Sequence, residues 1–198
     1  MRRSIWACGL LLAFAGMSTA VSAASSDTGQ SPAAKLGPTG ASAARAEALS
    51  IAYWSGKARR ERSAVRQWVT VVRGQPPQQI APLRPSNSPH AAWRQARAWH
   101  RRQVAASQLA HNPPQLRTWY CIHSYEGSWS DPNAPYWGGL QMDYSFQSAY
   151  GSWLLRHHGT ADHWTPLEQI WTAVRAWRVR GFSPWPNTAR NCGVYYPD

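Results

Sequence analysis

The sequence predicts an α+β, mostly helical protein: a small C-terminal domain closed by one disulfide, preceded by basic helical segments and a disordered linker. Three observations carry this reading. A complete helix signature lies over Thr165–Gly181, two cysteines remain in the part of the chain expected to be exported, and charge and aromatic content divide unevenly along the sequence. Residues 24–114 hold 13 Arg or Lys against three acids, whereas residues 115–198 hold six Arg and six acids. Eight of the 13 tryptophans lie in that balanced back half, so the two halves are built for different surroundings. Rings in such number stack on flat ligand faces, sugars above all, or fill the core.

In chain order, Arg2 and Arg3 precede the apolar run Ile5–Ala15, and Val21-Ser22-Ala23 offers a small-x-small cleavage site. This order predicts a signal peptide over 1–23, cut before Ala24, and a secreted protein with no stable membrane insertion once the signal is gone. Cys8 leaves with it. Cys121 and Cys192 stay, and an oxidising compartment lets them pair in only one way. No Cys-x-x-Cys supports a zinc site. Residues 24–41, rich in Ser, Ala, Gly, Thr and Pro, read as a flexible linker.

Residues 42–112 read as basic helical segments around a Pro-rich connector: a helix over Ser42–Arg73, the connector over 74–89, and a second helix over Pro89–His111. Ser88 is its N-cap and Pro89 its first helical residue. Trp93, Ala96, His100, Val104 and Leu109 form a partial apolar stripe along it. The many arginines suit a solvated hairpin, or contact with anionic wall polymers or membrane surfaces. No nucleic-acid motif is present, and secretion argues against that partner.

Asn112-Pro113-Pro114 opens the C-terminal domain, 113–198. A helix is expected over Gln115–Tyr125, with Gly127 where helices commonly end. Ser130–Pro135 reads as a polar turn, Tyr136–Met142 as a short strand or extended segment, and Asp143 as the cap of a helix through Phe146 to Tyr150. The last helix is the best defined. Thr165, Pro166 and Glu168 form a capping box, Leu167, Ile170, Trp171, Val174 and Trp177 recur at helical spacing, and Gly181 closes it. Arg175, Arg178 and Arg180 complement its negative end. Glu168 is thereby explained by structure, not catalysis.

Glycoside cleavage needs a carboxylic acid that can donate a proton near neutral pH. Glu126 ends a helix whose partial negative charge disfavours a carboxylate, and Tyr125 and Trp129 flank it. Its setting is Cys121-Ile122-His123-Ser124-Tyr125-Glu126-Gly127-Ser128-Trp129, followed by Tyr136-Trp137-Gly138-Gly139-Leu140-Gln141-Met142, then Ser183-Pro184-Trp185-Pro186 and Cys192. Over 116–193 this arrangement resembles the lysozyme-like core of resuscitation-promoting factors and related transglycosylase-like domains. The resemblance implies a lysozyme-like domain with a Cys121–Cys192 bridge and Glu126 as catalytic acid. It also implies a sugar cleft lined by Trp129, Tyr136, Trp137, Gly139, Gln141 and Trp185. Familiar members place a cysteine directly before the acid; Cys121 lies four residues earlier, about one helical turn away on nearly the same face.

A second catalytic carboxylate is not expected. Asp131 sits in a turn-forming Asp-Pro-Asn, Asp143 reads as a helix cap, and the place where animal-type lysozymes resemble one another in carrying an Asp is Tyr136. A single-acid mechanism is therefore expected, the substrate's N-acetyl group assisting at the anomeric carbon. The resemblance implies a lytic transglycosylase or muramidase that cuts peptidoglycan glycan strands between MurNAc and GlcNAc. The alternative is a non-catalytic wall-binding module that keeps the cleft. His157, His158 and His163 lack an acidic ligand pattern for a metal, nothing implies a cofactor, and the expected state is a wall-associated monomer.

Overall fold

The computed structural model describes residues 40–194, all within one compact unit. The expected signal peptide with Cys8, residues 24–39 of the linker and the last four residues lie outside the described residues. What is described is mostly helical, with two very short strands and one disulfide.

Helices α1 (Gly40–Arg73) and α2 (Pro89–His111) form an antiparallel hairpin. Ser88 caps α2 by accepting from Ala91 N, with Pro89 in the first turn where its missing N–H costs nothing. The buried seam is made of small residues and one ring: Ala58, Val65, Ala96 and Trp99, with Trp54, Val69, Ile80 and Leu83 against it. This differs from the expected stripe on α2. His100, Val104 and Leu109 are exposed, whereas Ala96 of that stripe is buried, as are Ala92, Trp99 and Ala110 outside it. Side chains hold the connector in place. Arg62 donates to Ala81 O at 2.9 Å and Ile80 O at 3.3 Å, and Gln95 grips the backbone of Arg84 at both N and O.

The back half comprises α3 (Leu116–Glu126), β1 (Tyr136–Trp137), β2 (Met142–Asp143), α4 (Tyr144–Tyr150), α5 (Ser152–His158), a 3₁₀ turn (Ala161–His163), α6 (Pro166–Arg180) and α7 (Pro186–Asn191). The strands pair antiparallel, Tyr136 opposite Asp143 and Trp137 opposite Met142. Helix α6 starts at the capping box expected of it: Thr165 accepts from Glu168 N, and the Glu168 carboxylate accepts from Thr165 N. It runs through the core with Ile170, Trp171, Ala173, Val174 and Ala176 buried. Trp119 is fully buried against Phe182 and Trp185, packing α3 onto the start of α7. Truncating such a ring to Ala typically costs about 3–5 kcal/mol.

Two contacts weld the hairpin to the back half. Trp171 Nε1 donates to Ala110 O at 2.8 Å. Arg175 donates to Tyr150 O, Val72 O and Thr172 Oγ1 at 2.7, 3.2 and 2.7 Å. Burial, with Arg178 nearby, lowers the Arg175 pKa to about 10. A Cβ at Gly74, which has φ +74°, would stand 2.6 Å from that guanidinium, so the hairpin's exit needs glycine.

Candidate active site

Helix α3 stops at Glu126 because Gly127 takes φ +135° and returns its N–H to His123 O at 3.3 Å. The half-buried Glu126 carboxylate is gripped from α7: Thr188 Oγ1 donates to Oε1 at 2.7 Å. Among the described residues nothing hydrogen-bonds its second oxygen, Oε2. Cys121 and Cys192 are bonded, with Cα atoms 5.9 Å apart, so a covalent link and a hydrogen bond join the same two helices. Neighbouring turns of α3 and α7 are thus clamped together, which fixes where the carboxylate stands.

The segment after Glu126 folds back beside it. Asp131 Oδ1 accepts from Asn133 N at 3.1 Å and from the Asn133 amide, closing the Asp-Pro-Asn turn. Its other oxygen accepts from Gln141 Nε2 at 2.9 Å. Gln141, held at φ +46°, also donates to Gly138 O at 3.1 Å. A Cβ placed on Gly127 would lie 3.5 Å from Asp131 and 3.7 Å from Gln141, so this pair stands next to the end of α3.

Behind that layer is a rigid support. The His123 ring stacks on Trp129 with centroids 3.9 Å apart, and its Nδ1 meets Gly139 O at 3.0 Å. A carbonyl only accepts, so Nδ1 carries the hydrogen. Gly139 N donates to the fully buried Gln169 Oε1 at 2.9 Å, while Gln169 Nε2 donates to Trp129 O at 2.7 Å and Ala161 O at 2.8 Å. Trp185 Nε1 donates to Leu140 O at 2.8 Å. Gln147, also buried, ties Met142 O to Ala161 N. Backbone groups that a buried loop would leave unpaired are satisfied one by one.

In front lies a groove of about 370 Å³, with Tyr136, Gln141, Asp143 and Phe146 on one side and Arg180 and Ser183–Pro186 on the other. Its lining ends at Pro186, the first residue of α7, two positions before Thr188; Glu126 itself does not border it. Asp143 Oδ1 accepts from Phe146 N and Ser145 Oγ, both at 2.7 Å. These bonds, the backbone one foremost, hold its pKa below the usual carboxylate value. A larger cavity of about 720 Å³ lies between α1 and the starts of α5 and α6; its one carboxylate, Glu168, is engaged in the α6 cap.

Of the residues expected to line a sugar cleft, Tyr136, Gln141 and Trp185 border the groove. The Trp185 ring is only 4% exposed and its N–H is spent on Leu140, so it forms the wall more than it offers a face. Gly139 is buried: a Cβ there would stand 2.5 Å from His123 and 2.7 Å from Trp129. Its lack of a side chain makes room for that packing. Trp129 and Trp137 are partly buried against the core. Sequence reasoning missed Thr188, His123 and Gln169. Gln169 carried a signal, a polar residue beside the apolar stripe of α6; Thr188 carried none, its partner being 62 residues away. Among the described residues no group of His, Cys, Asp and Glu could hold a metal ion.

No protein-family model matches the chain, and no curated protein or solved structure is significantly similar to it.

Proposed function

We propose that this protein cleaves the glycan strands of peptidoglycan, with Glu126 as general acid. The observation that carries the proposal is the asymmetric hold on Glu126: among the described residues Thr188 donates to Oε1 and nothing hydrogen-bonds Oε2. An acid so held presents one defined oxygen to a leaving group. The resemblance to a lysozyme-like domain places the same residue in the same role.

Cleavage begins with proton transfer from Glu126 to the glycosidic oxygen as the bond to the anomeric carbon breaks. Both Asp131 oxygens are already engaged, and Asp143 is tied into the α4 cap. With Asp131 fully engaged and Asp143 Oδ1 committed to the α4 cap, the substrate's own acetamido oxygen is assigned the closure on the anomeric carbon. The Glu126 carboxylate then takes a proton from water, or from the sugar's 6-hydroxyl, as that oxygen attacks. On the groove wall Gln141, its two amide hydrogens held by Asp131 and Gly138, offers its amide oxygen, and Tyr136 an exposed ring.

The test is digestion of purified peptidoglycan sacs by the full chain beside Glu126→Gln. Soluble fragments are expected from the first alone. If both proteins pull down with sacs and neither releases fragments, the domain is a wall-binding module.

A further inference from the structure

We infer that the helical hairpin binds a flexible polyol-phosphate polymer through an anion pocket and a basic track along α2. The inference uses no residue of the Glu126 site, and it stands or falls separately from the glycan-cleaving reading.

The pocket is built from three elements. Ser55 and Arg59 of α1, Arg84 and Ser86 of the connector, and Gln95 of α2 border a cavity of about 230 Å³. Gln95 fixes its rim: Arg84 N donates to Oε1 at 2.8 Å, and Nε2 donates to Arg84 O at 2.9 Å. These bonds use the Arg84 backbone and leave its guanidinium available. Among the described residues the ion pairs engage Glu61, Asp162 and Glu168 with Lys57 and histidines, never with an arginine. Two guanidinium groups and two hydroxyls around a hollow with no carboxylate form a donor set for an oxyanion. The hollow has room for roughly seven waters, hence for one phosphate with part of its shell.

The track lies on another face of the same hairpin, turned about 100° around α2 from Gln95 to Arg94. His90, Arg94, Arg97 and Arg101 follow steps of four, three and four residues, which keeps them on one face of α2, and all four are exposed. The helix contains no Asp or Glu. Arg97 lies over the Trp93 ring at 5.0 Å, which directs the guanidinium while leaving its in-plane N–H groups free. At about 1.5 Å of rise per residue the charges are spaced about 4.5–6 Å apart along the axis. A flexible chain with one phosphate per short polyol unit can follow such a row.

The packing argues against a bilayer as partner. Ala92, Ala96 and Trp99 of α2, the face an interfacial helix would insert, are buried in the hairpin. A nucleic-acid duplex is disfavoured by shape, since phosphates on a stiff convex cylinder do not enter a hollow walled on three sides.

The experiment measures binding of the full chain to fluorescent poly(glycerol phosphate), with duplex DNA of equal charge and vesicles containing anionic phospholipid as comparators. Two variants separate the parts, Arg59→Gln with Arg84→Gln, and Arg94→Gln with Arg97→Gln and Arg101→Gln. All five side chains are exposed, and an unchanged melting temperature checks the fold. The polymer is expected to bind more tightly than DNA or vesicles, and each variant to weaken it about tenfold or more. The track variant should also flatten the dependence of log affinity on log salt by about 2–3 units. Polymer binding that is absent, that ignores the pocket variant, or that is surpassed by DNA or vesicles overturns the inference. Sac digestion by both variants separates this result from the fate of the Glu126 reading.

Discussion

Replacing Thr188 with Val removes one hydroxyl and keeps the shape of the side chain. That hydroxyl donates to Glu126 Oε1 at 2.7 Å across 62 residues of sequence. Hydrogen bonds to charged groups contribute about 1.5–3 kcal/mol. If the bond orients the acid during proton transfer, its loss lowers turnover by roughly 10- to 150-fold. The disulfide still ties α7 to α3, so the fold should be kept, with a stability loss no larger than about 3 kcal/mol. The assay is the initial rate of fragment release from sacs at several sac concentrations. A fall in kcat with KM nearly constant is expected for Thr188→Val, with Thr188→Ser recovering most of it. Wild-type turnover in the Val variant, or a Ser variant as impaired as Val, refutes the reasoning.

Three further outcomes follow from the same structure. Cys121→Ser opens a link spanning 71 residues and should cost about 4 kcal/mol by loop entropy, seen as a lower melting temperature without reductant; dithiothreitol should do the same to the wild type. Gln169→Leu leaves Gly139 N, Trp129 O and Trp164 O without their partner, so a loss of about 3 kcal/mol or more is expected in urea denaturation. Asp143→Ala removes the α4 cap, worth about 1 kcal/mol at neutral pH. Because the folded Asp143 pKa lies below the usual 3.8, its stabilisation is full above that value and fades as pH falls through the lower one; melting curves of the variant should show less acid dependence there.

Local chemistry was legible in the sequence, and long-range partnership was not. The α6 capping box, the Ser88 cap and the Asp143 cap all rest on residues within four positions of one another, where side chain and backbone must meet. Cys121 and Cys192 were readable across 71 residues because they are the two cysteines outside the expected signal peptide. Helix α7 was missed although Pro186 marks its first turn, because six residues carry too little periodicity. The α2 stripe was right at Ala96 but misplaced at His100, Val104 and Leu109, while Ala92 and Trp99, which it left out, are buried. Within the candidate site, Glu126 stood out through its neighbours in sequence. Thr188, Gln169 and the buried state of Gly139 and Trp185 emerge only when distant segments are folded together.

The most direct test of the central claim is mass spectrometry of peptidoglycan incubated with the full chain and with Glu126→Gln. Glycan fragments cut between MurNAc and GlcNAc, with either anhydro or reducing ends, are predicted from the wild type alone. Equal fragment release by Glu126→Gln, or none by the wild type, contradicts the assignment of Glu126 as the acid.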